Sequence, residues 1–295
     1  MTMLKLHNET WALALLPHWG GRVASLRVGA LDIFTPVPSG DFDPLNWPRG
    51  GAYPLLPYSN RLRGARLAHA GQLHALPVHP AAAPHTLHGV SHTLAWDVLE
   101  HSAEQVLIGC AYHGEHWPWP VRFEQRYVLA GNTLRLSLAL TNLGTTPMPA
   151  GLGLHPYFQR HPGMAARFFV EKDWDIDEDY LPTGSTHTLD EAVVVPAAIE
   201  HELALYGSGW DGRLLLSYPG GALHVVASQP LTHFVAFAPV GAPYLCLEPV
   251  SHLADAFNTA VQDWPAQGTQ IVEPGETLGA HLSFTWVPQS AETPK

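Results

Sequence analysis

"VRFEQRYVLAGNTLRLSLALTN", residues 121–142, decides the fold class. Val121, Phe123, Gln125, Tyr127 and Leu129 mark every second position, and after Gly131-Asn132 the alternation resumes through Leu134, Leu136, Leu138 and Leu140. A period of two puts alternate side chains on one face of a strand, and a Gly-Asn pair between two such runs is hairpin chemistry. "RLLLSYPGGALHVVAS" (213–228) repeats the pattern about a turn at Pro219-Gly220-Gly221. Shorter runs at 11–16, 22–27, 94–99, 105–112, 192–196, 233–238, 244–247 and 280–287 fit the same scheme. Helical periodicity is confined to "LADAFNTA" (253–260), enough for one or two turns. Strands without interleaved helices predict an all-β protein built as a large antiparallel β-sandwich. No repeat of fixed period is present. "HPAAAPH" (79–85) and the tail "PQSAETPK" (288–295) read as loop and frayed end rather than linkers, so a single domain over 1–295 is expected.

Composition narrows the function. The chain has 295 residues, 46% of them hydrophobic, enough for a sizeable core. No stretch reaches the apolar length of a membrane span, and "MTMLKLH" lacks the regions of a signal peptide, so a cytoplasmic location is expected; as to assembly, the expectation is a monomer or homodimer. Cys110 and Cys246 are too few for a disulfide framework and read as buried thiols. Fifteen basic against 26 acidic residues give a formal charge of −11, with no Lys/Arg cluster, which argues against nucleic acid or an anionic membrane as partner. The 19 His, 27 Pro, 26 Gly and 10 Trp, with only 14% charged residues, suit a turn-rich β-protein with a neutral polar ligand. A sugar is such a ligand: its C–H faces stack on aromatic rings while its hydroxyls take hydrogen bonds.

Four segments set an ionisable or bidentate group beside turn residues: "YSNRLRG" with Asn60 and Arg61, "HTLHGVSH" with His85, His88 and His92, "GLGLHPYFQRHPG" with His155, and "YLCLEPVSHLADAFN" with Glu248. His155 reads either as a proton donor on the floor of an aromatic pocket or as a buried imidazole satisfied by backbone. Glu248, after Leu-Cys-Leu, is paired, exposed at a strand end, or held for chemistry, because an unpaired buried charge is costly. The histidines at 85–92 and at 113 and 116 lie close in sequence. They match no HExxH helix, no Cys-x-x-Cys and no His-x-His with a downstream Glu, so no metal is expected. A phosphate-cradling glycine loop and a Gly-x-Ser-x-Gly elbow are absent too.

Taken in order, these segments resemble the aldose 1-epimerases, or galactose mutarotases. The resemblance is carried by Asn60-Arg61, by Leu87-His88-Gly89 with Trp96, and by His155-Pro156-Tyr157-Phe158. It continues through Cys246-Leu247-Glu248 with Asp255-Ala256-Phe257-Asn258 to Pro274-Gly275-Glu276, spanning about residues 20 to 286. It implies the family's large sandwich (a galactose mutarotase-like supersandwich) and a cofactor-free isomerase acting on a free hexose or a related sugar. It also implies Glu248 as general base, His155 as general acid, and Arg61 and His88 as holders of sugar oxygens. Moving a proton from the C1 hydroxyl and another onto the ring oxygen opens the ring to the aldehyde, and reversal closes it on the other face.

The departures concern substrate contacts. Where the family has Phe-Asp-His-x-Phe, this chain has Ile199-Glu200-His201-Glu202-Leu203, so Glu200 is the positional match for a sugar-binding Asp, with Asp211 as its rival. His233 stands where the family carries a Gln toward the sugar, and Pro156 replaces a more usual Ser. Two other readings share these residues: a non-catalytic sugar-binding protein, and an epimerase for a phosphorylated sugar using Arg63 and Arg66. With a carboxylate beside it, His155 is expected to stay protonated near neutral pH, giving a bell-shaped profile centred on the mildly acidic side.

Overall fold

The computed structural model describes residues 3–38 and 40–289, so positions 290–295 of the expected frayed tail lie outside the described residues. Among these, two large antiparallel sheets hold most strands. The first has eleven, in the order Leu4–His7, Trp11–Leu16, Arg22–Val28, Ala52–Pro54, Leu154–Gln159, Tyr244–Val250, His233–Ala238, Leu203–Ser208, Lys172–Ile176 and Pro182–Thr188, with Leu31–Asp32 beside Arg22–Val28. The second has nine, in the order Asp97–His101, Gln105–Gly114, Trp117–Ala130, Thr133–Asn142, Thr277–Pro288, Gly221–Ala227, Arg213–Tyr218, Ala165–Phe168 and Val193–Pro196. The deciding hairpin forms as read. Ala130 pairs with Thr133 across Gly131-Asn132, and Val121 with Asn142 at the far end.

The sandwich's main core draws on both sheets. Leu134, Leu136, Leu138 and Leu140 from the hairpin join Leu154, Phe158, Phe234, Ala236, Leu245 and Leu247 in one buried cluster. The sheet containing the last six is buried on its other face as well. Alternate residues Tyr157, Tyr206, Val235 and Cys246 form a second, smaller cluster with Trp47 and Tyr53. A central strand buried on both faces loses polar alternation, which is why "YLCLEPV" reads as one apolar run.

Several local expectations shift. The run at 94–99 pairs only from Asp97, because Trp96 turns inward and donates its Nε1–H to the Ser91 carbonyl. Gly221 is already in the ladder opposite Tyr218, leaving Pro219-Gly220 as the turn. The helical run at 253–260 is a single 3-10 turn, Ala256–Asn258, and a short α-helix follows at Trp264–Gln267. Cys246 is buried, but Cys110 is only half-buried, and both are free thiols. No helix among the described residues is long and apolar enough to cross a membrane.

Candidate active site

The second face of the eleven-stranded sheet floors a cleft of about 200 Å³. Period-two alternation builds that floor. His155 and Tyr157 come from one strand, Tyr244, Cys246 and Glu248 from the next, Val235 and Phe237 from the third, and Tyr206 from the fourth. Register makes them neighbours: Tyr157 pairs with Cys246, Cys246 with Phe237, Glu248 with Val235, and Val235 with Tyr206. Loops and a short two-stranded ribbon supply the walls, with Trp47, Arg49 and Tyr180 from loops, and Asn60, Arg61, Leu87 and His88 from the ribbon and the residues beside it. The volume is below the roughly 300–1,000 Å³ of drug-sized sites and suits a ligand no larger than one or two sugar rings.

His155 and Glu248 meet at the bottom. Nε2 of the imidazole lies 3.2 Å from Oε1 of the carboxyl, and the two residues are only 7% and 4% exposed. Tyr53, the cross-strand partner of His155, stacks on its ring at 4.7 Å, and Tyr157, two residues along, stacks on it at the same distance. Trp47 donates its Nε1–H to the Tyr157 hydroxyl, closing the aromatic wall. Burial in this setting disfavours charge on both partners. It pushes Glu248 up to about 8, opposed by the Arg61 guanidinium. It also holds His155 well below the ordinary histidine value, with the charges of Arg22 and Arg49 adding to the effect. The expectation that the carboxylate would keep His155 protonated near neutrality is therefore not met. Desolvation and nearby guanidinium groups outweigh one carboxyl that is itself held neutral. Both directions favour a neutral pair, with the shared proton on Glu248 rather than on His155.

Asn60, Arg61 and His88 are brought to the cleft by an unusual piece of backbone. Arg61–Leu62 pairs with Thr86–Leu87, and both Asn60 and His88 take left-handed φ angles, 60° and 62°. Their backbones close on each other. The His88 N–H donates to the Asn60 carbonyl at 2.8 Å, and the Asn60 N–H donates to His88 Nδ1 at 3.1 Å. Burial and the neighbouring charges hold His88 well below its usual value, so it is neutral. With Nδ1 accepting, its proton is on Nε2, the nitrogen left to donate to a ligand. Positive φ at non-glycine residues is a cost that functional sites commonly carry. Gly89 must be glycine, since its φ is 66° and a Cβ would collide with the Leu56 carbonyl oxygen. Arg61 packs its guanidinium 5.0 Å from the centre of the Tyr180 ring, and Asp255 braces the loop by donating its N–H to the Arg61 carbonyl.

Three nominated contacts lie elsewhere. Glu200 is exposed in the loop before Leu203–Ser208 and does not line the cleft. Asp211 is exposed against the other sheet, where its Oδ1 accepts the Arg213 N–H. His233 starts a floor strand but is buried beyond the cleft, beside Val250 and His252, with Nδ1 3.1 Å from Thr232 Oγ1 and its value pushed down to about 4. Of the cations considered for a phosphate, Arg63 is engaged by Asp177 at 3.3 Å and Asp255 at 3.5 Å. Arg66 does not line the cleft. Sequence reasoning missed Trp47, Arg49, Tyr180 and Tyr206. Each sits in a loop or strand with no local signal, although ten Trp and a charged content of only 14% announced such a wall.

The donor atoms of His155, Cys246 and Glu248 lie within 4.8 Å of one another, close enough in principle to hold a metal ion. Their chemistry runs against it. Burial holds the Cys246 thiol well above its ordinary value and Glu248 protonated, while Arg22, Arg49 and Arg61 make the surroundings positive. A thiolate and a carboxylate are what a dication requires. The set suits proton transfer better.

Comparison with known proteins gives the family and the fold. The profile of the family described as "Aldose 1-epimerase" matches residues 2–285. YphB, an uncharacterized protein of Escherichia coli K12, is 26% identical over 245 residues, covering 79% of this chain and 82% of its own. Among solved structures, one from Escherichia coli K12 superposes with a TM-score of 0.84 at 21% identity, covering 98% of this chain and 99% of the other. A galactose mutarotase-like protein from Clostridium acetobutylicum gives 0.83 at 18% identity, covering 97% and 95%. At these identities the superpositions show a shared fold.

Proposed function

This chain belongs to the aldose 1-epimerase family, and on that premise we propose that it interconverts the α and β anomers of a free hexose or a close relative. The observation that carries the reading is the 3.2 Å contact between His155 Nε2 and Glu248 Oε1 at the bottom of an aromatic cleft. In the scheme, Glu248 takes the proton of the C1 hydroxyl while His155 gives one to the ring oxygen. The C1–O5 bond breaks and the carbonyl forms. Rotation about C1–C2 presents the other face, and reversed transfers close the ring.

The pair's protonation follows the cycle. For ring opening the shared proton must first pass from Glu248 to His155, giving imidazolium and carboxylate. After it, the imidazole has passed its proton to O5 and the carboxyl has received one from O1. The neutral tautomer that burial favours is thus the partner of the open-chain aldehyde, and the charged tautomer is the partner of the closed ring. Arg61 supports the carboxylate form. The Nε2–H of His88, the fork of Arg61 and the Asn60 amide suit ring hydroxyls, while Trp47 and Tyr206 offer apolar surface to the C–H face. No cofactor enters the scheme.

Polarimetry of freshly dissolved pure anomers tests the reading. Acceleration over the spontaneous rate by wild type, lost in His155→Asn, supports it. A sugar bound without acceleration favours the non-catalytic binder. Arg49 lines the cleft, so a hexose 6-phosphate belongs in the panel, and preference for it would favour the phosphorylated-sugar reading.

A further inference from the structure

Arg22, the first residue of Arg22–Val28, is 0% exposed and has no carboxylate partner among the described ion pairs. Its Nη1 donates to the Gly50 carbonyl at 3.1 Å and, more weakly, to that of Pro48 at 3.4 Å. Its guanidinium carbon lies 4.4 Å from the centre of the Tyr53 ring, and that ring is stacked on His155. A buried, unneutralised cation is expensive and calls for a reason. Loop anchoring accounts for part of it, because the carbonyls it holds flank Arg49 and follow Trp47, two walls of the cleft. Two neutral donors could do that without a charge.

The groups facing His155 show what the charge does. Tyr53 and Tyr157 each pack on the ring at 4.7 Å, with their own centroids 6.3 Å apart, His88 meets it edge-on at 5.3 Å, and Glu248 meets Nε2. Arg22, Arg49 and His92 act on it electrostatically, Arg22 most strongly, all disfavouring the imidazolium. His92 is itself pushed down to about 3 by burial and so contributes little charge at neutral pH. Arg49 is exposed and screened by solvent, leaving Arg22 as the permanent charge in the dry interior.

The geometry points to Arg22 as a positioning residue of the reaction: from beside Tyr53 it biases the proton shared by His155 and Glu248 toward the carboxyl. This rests on reading the pair as the acid and base. The bias favours the tautomer that ring opening produces. An imidazolium formed next to Arg22 readily gives its proton to O5, and the open aldehyde is held long enough to rotate.

The test uses ¹⁵N-histidine NMR with kinetics on the full chain. Wild-type His155 should remain neutral at pH 6. Arg22→Met and the milder Arg22→Gln should raise its proton affinity about tenfold or more, the scale of a Coulomb interaction across stacked groups at intermediate dielectric. They should also lower kcat more than they raise KM. Arg22→Lys keeps the charge and should restore the His155 midpoint even if the loop loosens. A wild-type His155 half-protonated at pH 6 or above would overturn the proposal, whether or not a variant folds. So would a folded Met or Gln variant with an unmoved midpoint. The titration needs no turnover, so its failure is separable from that of the mutarotase reading, which polarimetry decides.

Discussion

Glu248→Gln should make the protein inactive and, at neutral pH, more stable. The folded carboxyl is held at about 8 by burial, against an ordinary value of 4.5. A folded value above the unfolded one means that the native state binds more protons between those limits, so stability falls as pH rises through that window. Below 4.5 the penalty is absent. At pH 7 it has accumulated at about 1.4 kcal/mol for each tenfold fall in proton concentration, about 3 kcal/mol in all, and it levels off above about 8. Glutamine keeps the shape, can donate to His155 Nε2 and never ionises, so it escapes the penalty. Urea denaturation of both proteins at pH 5, 6, 7 and 8 should show the variant's advantage growing from near zero to a few kcal/mol, while mutarotation falls by about a hundredfold to ten-thousandfold. An advantage that does not change with pH, or a wild type that is most stable at pH 8 relative to the variant, would refute the reasoning.

Wild-type kcat/KM should hold a plateau through neutrality and fall as pH rises through about 8, where the pair loses its shared proton; a fall near 6.5 would return the alkaline limb to an ordinary imidazole. Arg61→Gln removes a group that lowers the Glu248 value, so it should move that alkaline limb upward and raise KM, both read from pH-dependent initial rates. Glu200→Ala and Asp211→Ala, outside the cleft, should leave KM within about twofold of wild type, whereas Trp47→Ala should raise it several-fold as binding shared by ground and transition states is lost. Dialysis against EDTA should leave polarimetric activity unchanged, and restoration of lost activity by one divalent ion would contradict the argument from the donor set.

The fold was legible because alternation and turn chemistry act locally. Each leucine of 134, 136, 138 and 140 carries its own evidence of a face, and Gly131-Asn132 sets the register of the hairpin without help from elsewhere. The same rule lost resolution where tertiary contacts overrode it. Trp96 could equally have extended a strand, but its indole found the Ser91 carbonyl and left the ladder. The extra helical turns after residue 260 follow no amphipathic stripe, because four residues are too few to show one.

The site was legible to the degree that its members are fixed by the sheet. Once Leu245 and Leu247 are assigned to the core, Cys246 and Glu248 must face the other way, and pairing with the next strand brings Cys246 opposite Tyr157, two residues from His155. Asn60 and His88 were found because they stand beside turn residues in motifs the family shares, and the structure gives both of them left-handed φ angles. Loop-borne contacts obey no such constraint. Glu200 and Asp211 were nominated by position along the chain, yet the distance from a loop residue to a cleft depends on where the whole loop lies, and one residue of slip in a motif changes the answer. His233 failed more instructively. Its parity is right, since it shares a face with Val235 and Phe237, and only its position along the strand takes it past the end of the cleft. Parity names the face of a sheet, while the covering loops decide how much of that face becomes a site. The loop covering the Tyr244 end is held through Gly50 and Pro48 by a single buried guanidinium, which makes Arg22 a link between the strand pattern and the chemistry that neither the alternation nor the family motifs expose.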